Sequence, residues 1–505
     1  MQNTPLRPPT RTLLSILVMA ALASGCAVAP QPLSPDERRT EATANRQALT
    51  AQQEPVAGPV TLDEAMARAV KYNLDHRVKL LQEALSERDL DLSNFDLLPK
   101  LTLQAGYTAR SNVNASSSEN VANGTQSLVP STSEDRHRRT ADLGFAWNVL
   151  DFGVSYYGAK QQADRVLIAH EERRKVLQLL MQQTRQAYWQ AAGAQVLEGK
   201  VEPILKQAQQ ALDDSRKIEK ENLKAPIESL NYQRQLLDIV RQLEAVRDEL
   251  AQAKPRLASI MNLEPGQRFA LAPAGDFAVP KVAMPVERME ETALTQRPEL
   301  VQAAYTERIG VLETRKALAK LLPGVEIDLG GHYDSNSFLV NKEWADAGLR
   351  VSWNLFNLLN TKQIKRDADA QLAVARTQRL ALSMAVLTQV HVAWRDFQGK
   401  QRQFELNQQL HSVEQRILEH TRNAARADAQ GQLEEIRAAA SAMMSELRLY
   451  ESYGAMQSTW GQLVVSLGLD PIGERIDSTA LSDIEKSINQ AEQHWLVLAD
   501  GSSKQ

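Results

Sequence analysis

Two long segments of the chain carry almost no residue that would end a helix. Residues 154–222 contain one proline, Pro203, and residues 359–427 contain none. Because an α-helix rises about 1.5 Å per residue, each segment predicts a helix roughly 100 Å long, more than a compact globular domain accommodates. Apolar positions recur thinly at helical spacing between many Gln and Arg, which is typical of a coiled coil. We expect a bend or a break at Pro203.

Four shorter segments alternate between apolar and polar residues, 101–110, 142–150, 325–334 and 348–356. This period of two predicts β-strands, either in a sheet over a soluble core or in a membrane barrel between lipid and water. Their lengths suit a barrel, because a tilted strand spans a bilayer in about 9–11 residues. In that case these polar positions face the lumen: Gln104, Asp142, Asn148, Glu326, Asp328, His332, Arg350 and Asn354.

The chain repeats its own layout once. Pro99 and Pro323 mark landmarks that lie 224 positions apart, and Trp147 and Trp353 mark others that lie 206 apart. Between these landmarks the first half carries a Ser/Asn-rich stretch, residues 111–135, which predicts an extended hydrophilic loop outside the cell. The predicted divisions are a first structural repeat at 60–266, a second at 285–472 and a C-terminal tail at 473–505.

Four strands from one chain are too few to close a barrel, since single-chain barrels have about eight or more. Two chains would supply eight strands, whose inward side chains fill the interior, whereas three chains would leave a lumen. The sequence therefore favours an α+β membrane protein that oligomerises.

The N-terminus has the features of an export signal. An apolar run at 13–23 follows two arginines and is too short to span a bilayer, but it suits a secretion signal. Cys26, the only cysteine, follows small residues that resemble a bacterial lipobox. This implies a signal peptide at 1–25 and a fatty-acylated (palmitate-bearing) Cys26, with an ordinary cleaved signal as the alternative. Residues 26–59 then form a lipidated tether, and Ala27 favours the outer membrane.

Composition and motifs argue against several function classes. The 58 Lys and Arg nearly balance the 62 Asp and Glu, which argues against a nucleic-acid binder. The chain has no P-loop and no glycine-rich dinucleotide fingerprint, and its eight histidines lack metal-ligand spacing. We therefore expect no enzyme activity, no cofactor and no metal site. The Gly330-Gly331-His332 motif lies in a predicted strand and is expected to line a lumen, with a histidine that binds metal among carboxylates as the less favoured alternative.

Three motifs occur in a fixed order within the duplicated layout. They are Ala-Leu-x-x-Arg-Pro-Glu-Leu at 293–300, Leu-Leu-Pro at 321–323 and Trp-Asn-Leu-Phe-Asn at 353–357. Together they resemble the TolC family of outer-membrane efflux proteins, over about residues 60–472. The resemblance implies a homotrimer with a 12-stranded β-barrel in the outer membrane and a coiled-coil α-helical tunnel in the periplasm.

The same resemblance implies the outer-membrane channel of a tripartite efflux or type I secretion system. Its partners would be a periplasmic adaptor (membrane fusion) protein, an inner-membrane pump and outer-membrane lipid, and its substrates would pass passively. The alternative is a periplasmic coiled-coil scaffold or adaptor without a pore. That alternative explains the helices but leaves four strands with aligned apolar faces unexplained.

The places where the two long helices turn back are predicted to form the periplasmic tip. The resemblance implies that acidic residues after the second turn ring a closed entrance, which assigns Glu434 here, with Arg437 three residues later. A role for such acids in stabilising a helix N-terminus is equally open. The other predicted tip residues are Asp428, Asn222 and Glu228.

Overall fold

The computed structural model describes residues 30–51, 53–221, 225–273, 277–426, 431–470, 472 and 480–499. The chain divides into two compact units, Met1–Glu54 and Pro55–Gln505. The described part of the first unit contains helix α1, Pro35–Thr50, which has no buried residue. The Ser34 hydroxyl accepts a hydrogen bond from the Glu37 N–H at 3.2 Å, and the Glu37 carboxylate accepts one from the Ser34 N–H at 2.7 Å. This capping box starts a helix within the predicted tether.

The described part of the second unit contains nine helices, six strands and a 3-10 helix. In chain order they are α2 (Leu62–Tyr72), α3 (Leu74–Phe95), β1 (Lys100–Ala109), β2 (Ala115–Ser116), β3 (Ser131–Thr132), β4 (His137–Asn148), α4 (Val149–Lys220), α5 (Pro226–Ile260), α6 (Val286–Gln296), α7 (Pro298–Ala319), β5 (Gly324–Asp334), β6 (Glu343–Ser352), the 3-10 helix Leu355–Asn360, α8 (Thr361–Arg426), α9 (Gln432–Leu467) and α10 (Leu481–Ala499). Corresponding helices of the two halves have similar lengths, since α3 and α7 both have 22 residues and α5 and α9 have 35 and 36.

The two long helices, α4 and α8, have 72 and 66 residues. Helix α4 continues through Pro203, so the predicted break does not occur. A proline inside a helix costs about 3 kcal/mol relative to alanine. Val201 and Leu205, on either side of it, are both buried. Packing of these neighbours against the adjoining helices holds the turn in helical conformation despite the proline.

The core contains an aromatic cluster where α4, α8 and α9 meet. The ring centroid of Tyr453 lies 4.6 Å from that of Trp189 and 4.7 Å from that of Phe277, in edge-on or tilted geometry. Such geometry brings the positive edge of one ring to the negative face of another. Helices α4 and α9 approach closely beside this cluster, because a Cβ atom on Gly193 would lie 2.8 Å from the Cβ atom of Tyr450.

The predicted C-terminal tail, residues 473–505, contains a helix that packs into the core. Ile484 and Ile488 of α10 are buried against α2, and Glu492 forms an ion pair with Arg185 of α4. The segment predicted as a tail therefore contributes residues 481–499 to the core. Apolar residues three or four positions apart give this helix one buried face.

In each half, a hydrogen bond joins the junction between two short helices to the C-terminal end of a later helix. The junctions are those between α2 and α3 and between α6 and α7, and the later helices are α5 and α9. In the first half, the Asn73 side chain donates a hydrogen bond to the carbonyl of Ile260 at 3.2 Å. In the second half, the Arg297 guanidinium donates one to the carbonyl of Val465 at 3.3 Å. Because the last carbonyls of a helix lack partners within it, a donor at these positions stabilises the helix end.

His76 is a buried titratable group in the first turn of α3, with 5% of its surface exposed. Its Nδ1 donates a hydrogen bond to the carbonyl of Val70 at 2.9 Å, and its buried Nε2 has no hydrogen-bond partner among the described residues. Burial lowers the pKa of His76 below its usual value, because it penalises the charged ring.

Acid should therefore destabilise the fold through His76. Because the pKa of His76 is lowered in the native state, the native state binds fewer protons than the unfolded chain. The contribution of the neutral His76 to stability is therefore fully present above the pKa that His76 has in the unfolded chain. It is lost as the pH falls through the lower pKa that His76 has in the folded protein. We expect His76→Leu, which introduces the residue found at Leu300 in the second half, to reduce the loss of thermal stability between about pH 7 and about pH 5. Circular dichroism melts measure this. The control is His420→Leu, at an exposed position of α8. If both variants and the wild type lose the same thermal stability over this pH range, the role of His76 is contradicted.

Candidate pore-lining face and helix tip

Strands β1, β4, β5 and β6 form one antiparallel sheet in that order. The register pairs Gln104 with Asp142, Asp142 with His332, and Glu326 with Arg350. Because residues paired directly across strands share a face, the sheet has one polar face. This polar face carries Lys100, Thr102, Gln104, Thr108, Arg138, Thr140, Asp142, Asn148, Glu326, Asp328, His332, Asp334, Asp346 and Arg350. The structure thus brings all the predicted lumen-facing residues except Asn354 onto one face.

The opposite face of the sheet is apolar over most of its length and exposed in the single chain. Leu103 is 75% exposed and Leu349 is 70% exposed. Tyr107 and Tyr333 lie towards one end of this face, and Trp147 lies at the other. The rows of Tyr333 and Trp147 lie six positions apart along β4, which corresponds to roughly 20 Å of strand. An apolar band flanked by aromatic residues is typical of strands that face lipid.

Two predicted lumen-facing residues cap helices. The side-chain Oδ1 of Asn148 accepts a hydrogen bond from the Leu150 N–H at 3.0 Å, at the start of α4. The Asn354 side chain accepts one from the Phe356 N–H at 3.2 Å, at the start of the 3-10 helix. Because β6 ends at Ser352, the predicted strand at 348–356 ends too late and Asn354 lies outside the sheet, while its lumen-facing position stays a prediction. An asparagine at this point satisfies N–H groups that have no partner within the helix.

The strand boundaries differ from the predicted ones in a consistent way. Strand β4 begins at His137, before the predicted 142, and β6 begins at Glu343, before the predicted 348. The added residues continue the strand register, but they do not keep the alternation, because the polar residues His137, Arg139 and Glu343 lie on the otherwise apolar face. Polar residues at the end of a strand on this face are compatible with a position beyond the hydrocarbon layer.

At the predicted tip, Glu434 forms an ion pair with Arg437. Arg437 Nη1 donates to Glu434 Oε1 at 2.7 Å, and Arg437 Nη2 donates to the side chain of Gln235 on α5. Arg437 therefore links α9 to α5. Glu228 lies exposed in the first turn of α5. Three predicted site residues lie outside the described residues, namely Cys26, Asn222 and Asp428.

A row of buried polar residues along α4 was not among the sequence predictions. Asp164 accepts hydrogen bonds from the guanidinium of Arg308 on α7, one of them at 3.0 Å from Nε, and Arg185 pairs with Glu492 on α10. Such pairs fix which helices lie side by side, because a buried charge without its partner is costly. The signal was a seven-residue spacing of polar residues on one stripe of the helix, at Asp164, Glu171, Gln178 and Arg185.

The described residues include no group of three or more His, Cys, Asp or Glu side chains arranged to hold a metal ion. Across the same described ranges, the helices are all too short or too polar to cross a membrane.

No protein-family profile and no curated protein matches this sequence. Several solved structures match it in fold. The Campylobacter jejuni CmeC outer membrane channel is 12% identical, with 92% of this chain and 97% of that chain covered and a TM-score of 0.64. CusC, solved in a study of transmembrane channel formation, is 18% identical over 88% of this chain and 100% of that chain, with a TM-score of 0.62. The open-state Neisseria gonorrhoeae MtrE outer membrane channel is 14% identical over 81% and 88%, with a TM-score of 0.61.

Proposed function

We propose, from the fold that it shares with outer-membrane channels of the TolC family, that this chain is one subunit of a channel that gives substrates passive passage across the outer membrane. The observation that carries the proposal is the two-faced sheet, which has a continuous polar face and an exposed apolar face between aromatic ends. A strand between water and lipid needs this distribution. A passive conduit needs no catalytic residue and no cofactor, which agrees with the absence of enzyme motifs in the sequence.

We propose that three copies assemble the channel. Within one chain, β1 and β6 each pair on one side only, and every residue of both strands is exposed. Open sheet edges are avoided in membranes, because unpaired backbone groups are costly in lipid. Pairing β1 of one copy with β6 of the next removes these edges, and three copies leave a water-filled lumen. Helices α4 and α8 follow the strands directly or after a short turn, which supports a helical tunnel that continues the barrel into the periplasm.

We propose that the ends of the two helix pairs form the tip that meets a periplasmic adaptor, which in turn connects to an inner-membrane pump. The contact of Arg437 with Gln235 supports a common tip, since it joins the α4–α5 pair to the α8–α9 pair. A tripartite efflux system and a type I secretion system are both consistent with this arrangement. A scaffold without a pore is less consistent, because it has no use for an exposed apolar sheet face.

We also propose that residues 1–25 are removed on export and that Cys26 carries fatty acids. This proposal rests on the sequence alone, on the short apolar run and the small residues before the cysteine. Two or more acyl chains give stable membrane attachment. The proposed barrel would hold the protein in the outer membrane in addition.

Uptake of small sugars by proteoliposomes tests the proposed function. Vesicles that contain the purified chain should swell in an isotonic solution of a monosaccharide, because the solute enters through the lumen. Vesicles that contain a scaffold protein without a pore would not swell. Absence of swelling with a correctly folded trimer would contradict the channel proposal.

The ion pair at the tip gives a further prediction. Glu434→Ala removes the partner of Arg437, so Arg437 should hold α5 and α9 together less firmly, and the single-channel conductance should rise or the cation selectivity should fall. Glu435→Ala is the matched control, since it removes the same charge from the same first turn and both changes weaken the helix-dipole interaction by about 0.3–1 kcal/mol. If the two variants conduct alike, Glu434 acts only at the helix N-terminus.

A further inference from the structure

His332 lies between two carboxylates on the polar face. Its Nδ1 lies 2.7 Å from Oδ1 of Asp142 on β4, and its Nε2 lies 3.2 Å from Oδ2 of Asp346 on β6. The imidazole also stacks on the indole of Trp344, with the ring centroids 5.1 Å apart and the planes at 19°. Trp344 is the one aromatic residue on the polar face of the four described strands. The cluster thus joins three neighbouring strands at one level.

Gly330 makes this arrangement possible. A Cβ atom at this position would contact Nε2 of His332 and would lie 2.6 Å from Oδ1 of Asp346. Any side chain here would push the imidazole away from the carboxylate. The Gly-Gly-His motif therefore has a specific role on the polar face, because the first glycine leaves space for the ion pair of the histidine.

The two contacts of His332 determine its protonation. A neutral imidazole has one N–H and one lone pair, so it can donate to only one of the two carboxylates. Both contacts are favourable only when the ring is an imidazolium. When the imidazole loses a proton, one ring nitrogen presents a lone pair to a carboxylate oxygen. The two repel each other, so that carboxylate must move away from the ring. Asp346 is the one expected to separate, since its contact is longer and its side chain is 60% exposed.

The other charged groups on this face largely balance one another. On the side of the β5–β6 loop, Arg138 lies 3.7 Å from Asp334, and on the side of the long helices Arg350 lies 3.9 Å from Glu326. From β1 the cluster faces the neutral Gln104. Other neighbouring charges on this face come from Glu134, which also approaches Arg138, from Asp328 of β5 and from Lys100 of β1. Loss of the proton from His332 therefore changes the net charge of the cluster from minus one to minus two.

We propose that Asp142, His332, Trp344 and Asp346 form a site in the lumen that attracts passing monovalent cations by charge, without the ligand geometry of a metal centre, and whose occupancy is controlled by one proton. This inference rests on the proposed channel function. When the imidazole is protonated, it is itself the cation between the carboxylates and over the indole. When it is neutral, the contact to Asp346 opens, and this carboxylate attracts a passing monovalent cation by charge, with the neighbouring indole of Trp344 adding a cation–π interaction.

Ion selectivity at two pH values tests the site. Wild-type channels in planar bilayers under a KCl gradient should show a K⁺/Cl⁻ permeability ratio that rises about twofold from about pH 5 to about pH 8, the range in which histidine loses its proton. In His332→Gln channels the ratio should stay constant, because glutamine does not titrate. The control His137→Gln should keep the wild-type response, since His137 lies on the opposite face of the sheet.

An equal pH response in the wild type and in His332→Gln would overturn the site. If His332→Gln does not assemble, Asp346→Asn serves as the second variant, and it should lower the ratio at the higher pH. An unchanged ratio in Asp346→Asn would also overturn the site. A wild-type protein that does not conduct at all would contradict the channel itself, so the two failures are distinguishable.

Discussion

Gly468→Ala is expected to destabilise the helical part of the fold by about 2–5 kcal/mol, since it adds left-handed backbone strain to a steric clash. Gly468 ends helix α9 with φ at 73°, a conformation that residues with a Cβ atom rarely adopt. A Cβ atom there would lie 2.6 Å from the carbonyl carbon of Gln296 and 2.7 Å from the amide nitrogen of Arg297. Both are backbone atoms at the break between α6 and α7, so no side-chain rotation relieves the clash. The substitution should therefore separate Arg297 from the end of α9.

Gly461→Ala is the matched control for this prediction. It lies in the same helix, and its Cβ atom would lie 3.6 Å from Cγ of Gln182, an ordinary contact. Alanine inside a helix is favoured over glycine by about 0.5–1 kcal/mol, so this variant should be as stable as the wild type or more stable. Thermal unfolding in detergent compares the three proteins. Equal melting temperatures for Gly468→Ala and Gly461→Ala would show that the turn at Gly468 tolerates a side chain.

Leu103→Arg should prevent stable insertion of the sheet, whereas Gln104→Arg should be mild. The two residues are neighbours on β1 and point to opposite faces. Arginine on the lipid face costs about 2–4 kcal/mol near the middle of the bilayer, and the cost recurs in each subunit. On the polar face the same side chain remains in water. The yield of folded trimer extracted from outer membranes measures the difference.

Leu143 on β4 offers a second position for the same comparison. It pairs directly with Leu103 across the two strands, so Leu143→Arg should reproduce the effect of Leu103→Arg. If Leu103→Arg and Gln104→Arg reduce the yield of trimer equally, the assignment of the two faces is incorrect.

Much of this fold follows from local rules. The scarcity of helix-ending residues predicts helices close to α4 and α8, and the period of two predicts which polar residues share a face of the sheet. Of the bend or break predicted at Pro203, the break does not occur, because burial of neighbouring residues outweighs the intrinsic cost of a proline. The period of two alone does not predict the helix caps at Asn148 and Asn354. Each asparagine follows a tryptophan and continues the alternation of apolar and polar residues, so the pattern places it in a strand although its side chain caps a helix.

The candidate site was predictable only in part. Period-two alternation places Asp142 and His332 on the same face, but it does not give the register between strands. The contact of His332 with Asp346 depends on how the β5–β6 hairpin aligns the two strands, and a one-residue shift would remove it. The link from Arg437 to Gln235 joins residues 202 positions apart. A contact of that kind depends on the packing of two helix pairs, which local spacing does not determine.

The most direct measurement for the channel proposal is the single-channel conductance of the purified full-length protein in planar lipid bilayers. The proposed channel predicts discrete, reproducible current steps that grow with salt concentration, because ions would cross through a water-filled lumen lined by the polar face. Leu103→Arg should give few insertions, and Gln104→Arg should give steps of altered selectivity. A folded trimer that inserts into the bilayer and leaves it electrically sealed would contradict the proposal.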